Sequence, residues 1–140
     1  MKLAFQGELG AYSHLAVLEF FSKSEIKTCT TFEDCFKLAS DSPDYRIIIP
    51  IENSLAGRVA DIQYLIPKYK LQIYSEYFHP VSHHLLGLKG TKLSDIKTVR
   101  SHSQAISQCQ KIIQKNNLKP IITADTAGSA KYVSKNKNKS

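Results

Sequence analysis

Four clusters of glycine, hydroxyl and amide residues punctuate this chain, each standing where a short apolar run gives way to a different periodicity. They read Gln6-Gly7-Glu8-Leu9-Gly10-Ala11-Tyr12-Ser13, Pro50-Ile51-Glu52-Asn53-Ser54, Arg100-Ser101-His102-Ser103-Gln104-Ala105 and Asp125-Thr126-Ala127-Gly128-Ser129-Ala130. A strand that ends in such a cluster and continues as a helix is the repeating unit of an open α/β sheet, and ligand groups collect at those strand ends. The pattern therefore predicts an α/β fold with a largely parallel sheet.

Residues 3–6 read as a strand, Gly7 and Gly10 as a turn, and residues 13–21 as a helix whose apolar spacing falls on Leu15, Leu18 and Phe21. A second strand is expected near residues 27–29. Thr31 then suits a helix cap with Asp34 returning the bond, and Phe32, Cys35, Phe36 and Ala39 face inward. The run Tyr45-Arg46-Ile47-Ile48-Ile49 is continuous enough to predict burial on both faces. Residues 59–66 read as a helix closed by Pro67. Residues 71–79 and 81–88 have the composition of strands, with a crossover near residues 75–80. Beyond them come a helical turn at Ser94-Asp95, a strand at residues 97–100, an amphipathic helix over 103–114, a strand at 120–124 and a helix from Thr126.

Charge decides less than its sum suggests. The net charge is +7, yet Lys131, Lys135, Lys137 and Lys139 all lie in the last ten of 140 positions, and aromatics are not interleaved with basic residues. That argues against nucleic acid as a partner and leaves a mildly basic body suited to a small anionic ligand. No run approaches the ~20 apolar residues of a membrane span, and the N-terminus enters a strand directly, so a cytoplasmic protein with no membrane partner is expected. Cys29, Cys35 and Cys109 are odd in number and form no CxxC pair, which points to reduced structural thiols.

Three of the four clusters share one physical form, in which hydroxyls and unpaired N–H groups stand at a helix start. Ser13, residues 101–104 and residues 126–129 could each receive an anion there, although the same residues are ordinary caps. Glu52-Asn53-Ser54 offers an acid, an amide and a hydroxyl after a strand, with holding the loop as the plainer role. His79, His83 and His84 share no helical face, so no metal site is expected. His102 could orient a ligand or serve structure, and Cys109 falls on an apolar stripe rather than beside a base.

In their order these motifs, with Val81-x-His83-x-Leu85-Leu86 between the second and third, resemble the catalytic domain of the prephenate dehydratase family. The resemblance implies a bilobed α/β fold like the type 2 periplasmic binding proteins, with residues 1–76 as the first lobe, 77–134 as an incomplete second lobe and 135–140 as a polar tail. It implies a homodimer that needs no metal or organic cofactor and converts prephenate to phenylpyruvate, releasing water and carbon dioxide in the route to phenylalanine. Carried over by position, Glu52, Asn53, Ser101 and Gln108 are the catalytic candidates. Ser13, Asn53, Ser54, Gly57, Ser101, Gln104, Ala105, Thr126 and Ala127 are the substrate-binding ones.

The chain departs from the family pattern twice. Ser103 stands where the family has proline, which removes no chemical group. The family's Thr-Arg-Phe, whose threonine is the main proton donor to the departing hydroxyl, has no counterpart in the sequence. The expectation is a truncated enzyme whose second sheet exposes an edge, with a non-catalytic carboxylate-binding module or an inactive fragment as the rival readings.

Overall fold

In the computed structural model, which describes residues 1–136, the chain is mixed α/β, as the alternation predicts, and divides into two compact units, Met1–Val81 and Ser82–Ser140. The first is built on β1 (Lys2–Gln6), β2 (Glu25–Cys29) and β3 (Tyr45–Ile48), which pair in parallel in the order β2-β1-β3. Helices α1 (Tyr12–Phe20) and α2 (Phe32–Asp41) are the two connections. Strand alternation then sorts the core. Leu3, Phe5 and Ile48 pack with Val17 of α1, while Ile47 and Ile49 pack with Phe36 of α2 and with Ile62 and Leu65 of α3 (Ala60–Tyr69).

The doubly buried strand is β1, where Leu3, Ala4 and Phe5 are almost wholly enclosed. The run at residues 45–49, expected in that place, is only half-buried because β3 is an edge of the three-stranded sheet. The α1 expectation also needs a change of phase. Ala16 and Val17 are buried, while Leu15 and Leu18 remain largely exposed. The helix is apolar on nearly every side, so spacing alone could not choose its inner face. In α2 the local reading holds. Thr31 N–H donates to Asp34 Oδ2 at 3.0 Å, Asp34 N–H donates to Thr31 Oγ1 at 3.0 Å, and Cys35 and Phe36 are buried. Lys68 Nζ on α3 meets Glu33 Oε1 on α2 at 2.5 Å, and Tyr69 O–H donates to the same oxygen. These two bonds hold the Glu33 carboxyl below its ordinary range.

Pro67 does not close α3. It lies inside the helix, which continues to Tyr69 and ends at Lys70 in the left-handed region, φ 52°. A proline three residues from the end removes one N–H and leaves the final turn intact. Residues 71–88 join no ladder, against the two strands expected there. A β-rich composition describes fit to a pleated surface and cannot supply the neighbour a strand must pair with. Tyr77 and His79 lie against α1. Tyr77 O–H donates to Glu19 Oε2 at 2.9 Å, its ring centroid is 4.1 Å from that of Phe20, and His79 lies 5.3 Å from Tyr12.

The second unit starts its regular structure with a single 3-10 turn, Leu93–Asp95. There follow β6 (Thr98–Ser101), α4 (Ser103–Gln108), α5 (Gln110–Lys115), β7 (Lys119–Ile122) and α6 (Thr126–Asn136). Strands β6 and β7 are parallel, and Ile106, Ile113 and Leu118 form a core with Ile96 and Val99. The single amphipathic helix expected over 103–114 is two, separated at Cys109, whose φ −103° and ψ 10° leave the helical basin. The apolar stripe survives the break, since Ile106 and Ile113 both face the core. Helix α6 runs through Lys135 and Asn136. The rest of the expected polar tail, 137–140, lies outside the described residues. Among the described residues no helix is long and apolar enough to cross a membrane, and no group of three or more His, Cys, Asp or Glu could hold a metal ion.

Candidate active-site residues

The first unit carries Ser13, Glu52, Asn53, Ser54 and Gly57. Gly7 and Gly10 take φ 111° and 94°, conformations that favour glycine, and so turn the chain from β1 into α1. Gly7 N–H donates to Cys29 O at 3.0 Å and Gly10 N–H to His14 Nδ1 at 3.0 Å, which fixes the turn from both sides. Ser13 is the second residue of α1, after an N-cap, Ala11, that makes no side-chain bond.

The Glu52 cluster is a small hairpin, β4 (Glu52–Asn53) against β5 (Gly57–Arg58), with Glu52 opposite Arg58 and Asn53 opposite Gly57. Asn53 Oδ1 accepts from the N–H groups of Leu55 and Ala56, at 3.0 and 2.9 Å. The amide therefore builds its own turn, and Gly57 at φ 81° completes it. Glu52 is exposed on this hairpin.

The second unit brings two of the four sequence clusters together. Ser101, buried at the end of β6, donates from Oγ to Thr126 Oγ1 at 3.0 Å. Around it Thr123 Oγ1 and Ser129 Oγ lie 2.6 Å apart, each also within hydrogen-bond distance of the Asp125 carbonyl, at 3.2 and 2.8 Å. The Asp125 carboxylate accepts from Gly128 N–H. The start of α6, read above as a place for a ligand anion, thus has one of its donors already committed to a carboxylate of the chain itself.

Ser103, Gln104, Ala105 and Gln108 ride on α4. His102 is its N-cap, with Nδ1 accepting from Gln104 N–H at 3.3 Å, so that ring nitrogen serves the helix. Gln108, the last residue of α4, places Oε1 2.8 Å from His83 Nε2. Arg100, one residue before Ser101, stacks on α6 with Cζ 3.7 Å from the Tyr132 ring centroid.

The sequence offered His83 as a metal ligand and as part of a family motif, and Asp125 as the first residue of the fourth cluster, but gave neither a role in the site and did not single out Thr123. Asp125 carried a local signal, an N-cap residue ahead of a helix with glycine three places on. The pairing of His83 with Gln108 carried none, because the two are 25 residues apart.

Parallel strands with hydroxyl-bearing turns and helix starts at their C-terminal ends define an α/β protein of the kind that binds small ligands beside its sheet. A model of the family described as prephenate dehydratase matches residues 3–140, and the chain belongs to that family. It is 39% identical over 131 residues to a bifunctional N-acyl-homoserine lactone acylase/prephenate dehydratase of Komagataeibacter europaeus, covering 94% of this chain and 47% of that protein. It is 37% identical to arogenate dehydratase/prephenate dehydratase 1, chloroplastic, of Arabidopsis thaliana, covering 96% of this chain and 34% of that one. The chain thus spans a third to a half of the length of these curated relatives. Among solved structures, the prephenate dehydratase of Arthrobacter aurescens in complex with L-Phe superposes with TM-score 0.87 at 25% identity, over 95% of this chain and 46% of that one. The quorum-quenching acylase GqqA superposes with TM-score 0.87 at 37% identity, over 99% and 51%.

Proposed function

We propose that the chain works in a prephenate dehydratase, a carbon–oxygen lyase of phenylalanine biosynthesis that converts prephenate to phenylpyruvate with loss of water and carbon dioxide. The observation that carries the reading is the Ser101–Thr126 hydrogen bond, which joins two family motifs far apart in sequence into one hydroxyl cluster. In this reading Ser101, Thr126, Ala127, Gln104 and Ala105 bind a substrate carboxylate from the second lobe. Ser13, Asn53, Ser54 and Gly57 of the first unit are the other substrate-binding residues. Glu52, Asn53, Ser101 and Gln108 are the catalytic residues, since fixed polar groups favour the charge that develops on departing groups.

Hydroxyl-to-hydroxyl pairing supports orientation and hydrogen bonding rather than nucleophilic attack. Ser101 O–H donates a hydrogen bond to Thr126 Oγ1, whereas an activated serine would donate to a base. The amino analogue arogenate, for which several relatives are named, is the second substrate to assay. A cytoplasmic homodimer belongs to the same reading, and sedimentation of the purified chain measures its oligomeric part.

The test is phenylpyruvate formation from prephenate by the purified chain, with folding followed by circular dichroism in the same sample. Turnover above the uncatalysed rate supports the enzyme. A second reading is binding without turnover. A folded chain that binds phenylpyruvate and forms no product from prephenate would establish it in place of the first.

A further inference from the structure

His83 belongs to a stretch with no regular secondary structure, yet its ring reaches the last residue of α4, with Nε2 2.8 Å from Gln108 Oε1. The backbone at Gln108 is set from both sides. Ile106, two residues earlier, is buried in the core, and Cys109 N–H bonds back to Ala105 O and Ile106 O as the helix breaks. The side chain is a different matter, because three torsions separate a glutamine's amide from its backbone and the amide has an acceptor end and a donor end. Which end faces the site decides what Gln108 can hold.

We propose that His83 is a positioning residue for Gln108: its Nε2–H donates to the Gln108 carbonyl, turns the amide's NH2 away from the imidazole, and so suits Gln108 to an acceptor atom such as a carboxylate oxygen. Two bare acceptors do not approach to hydrogen-bond distance, so this geometry requires the proton on Nε2. The assignment rests on the reading of Gln108 as a site residue given above, while the tautomer itself does not depend on it.

Imidazole 15N spectra of the whole chain, assigned with a His83→Phe variant, report which nitrogen of His83 carries the proton. The expected result is the Nε2–H form, together with displaced Gln108 side-chain amide signals in the variant. A neutral ring protonated only at Nδ1 would overturn the proposal. Titrations with phenylpyruvate form the second arm. H83F should weaken binding about three- to tenfold, H83Q, which keeps a donor, should restore most of it, and H83F should add nothing in a Gln108→Leu background. Additive losses would mean that His83 acts on folding or on the ligand by itself, and would also overturn the proposal. If the parent chain binds no phenylpyruvate, the proposed function fails, and the tautomer and amide signals still decide what His83 does.

Discussion

Ser101 Oγ donates to Thr126 Oγ1 over 3.0 Å, from the buried end of β6 to the exposed first residue of α6. The two partners are unequal in their access to water, so their removal should be unequal in cost. Thr126→Val leaves a buried hydroxyl without its acceptor and is expected to destabilise the chain by about 1–3 kcal/mol. Ser101→Ala leaves only an exposed threonine that water can satisfy and should cost about 1 kcal/mol. The double variant should cost less than the two single losses together. Urea unfolding of the four proteins measures this, and equal single losses that simply add would show that the bond contributes nothing.

Gly128 stands so close to the Asp125 carboxylate that a Cβ there would lie 2.7 Å from Oδ2 and 2.9 Å from Oδ1. Gly128→Ala should therefore push the carboxylate off the helix start and abolish the cap, at about 0.5–2 kcal/mol. Asp125→Ala should cost a similar amount, and the alanine at 128 should be nearly harmless once Asp125 is gone. Amide exchange at the start of α6 is the direct readout. Faster exchange there in both single variants is expected, and unchanged exchange in G128A would remove the cap from the account.

What could be read in the sequence was whatever short-range chemistry decides. Thr31 and Asp34 are three residues apart and their two bonds follow from residue type, so the start of α2 was legible. Placing β1 rather than β3 at the centre of the sheet was not, because strand order depends on contacts that no local window contains. Leu15 and Leu18 misled for a related reason. With apolar residues around most of α1, only the sheet it packs on selects Ala16 and Val17. The motif residues were legible as a set, while the pairing of Ser101 with Thr126 and of Gln108 with His83 needed the fold to bring distant positions together.

Burial pushes the Cys35 thiol well above its ordinary range, and Cys29 beside it adds to the effect. A buried thiol with little thiolate is a poor nucleophile, since each unit of pKa removes about tenfold of the reactive form. In the native chain Cys29 and Cys109, both half-exposed, should be alkylated by iodoacetamide more than about tenfold faster than Cys35. In urea the three should react alike. Peptide mapping by mass spectrometry separates the sites, and early native labelling of Cys35 would show that the buried face of α2 does not stay packed.

Glu33 and Lys68 tie α2 to α3 on the surface of the first unit, and their pH dependence has a definite sign. The Lys68 and Tyr69 hydrogen bonds lower the Glu33 carboxyl in the folded state. The stabilisation is then complete above the carboxyl's unfolded value and is lost as the pH falls through the folded one. Lys68 is raised, chiefly by its bond to Glu33, so its share is complete below the unfolded amine value and is lost as the pH rises through the folded value. Between the two lies a plateau covering neutral pH. Glu33→Gln should flatten the acid limb of the urea midpoint measured against pH, and 1 M salt should reproduce part of that flattening in the parent chain because both groups are open to solvent. An acid limb identical in parent and variant would mean that the ion pair, though formed, adds nothing to the stability of the α2–α3 contact.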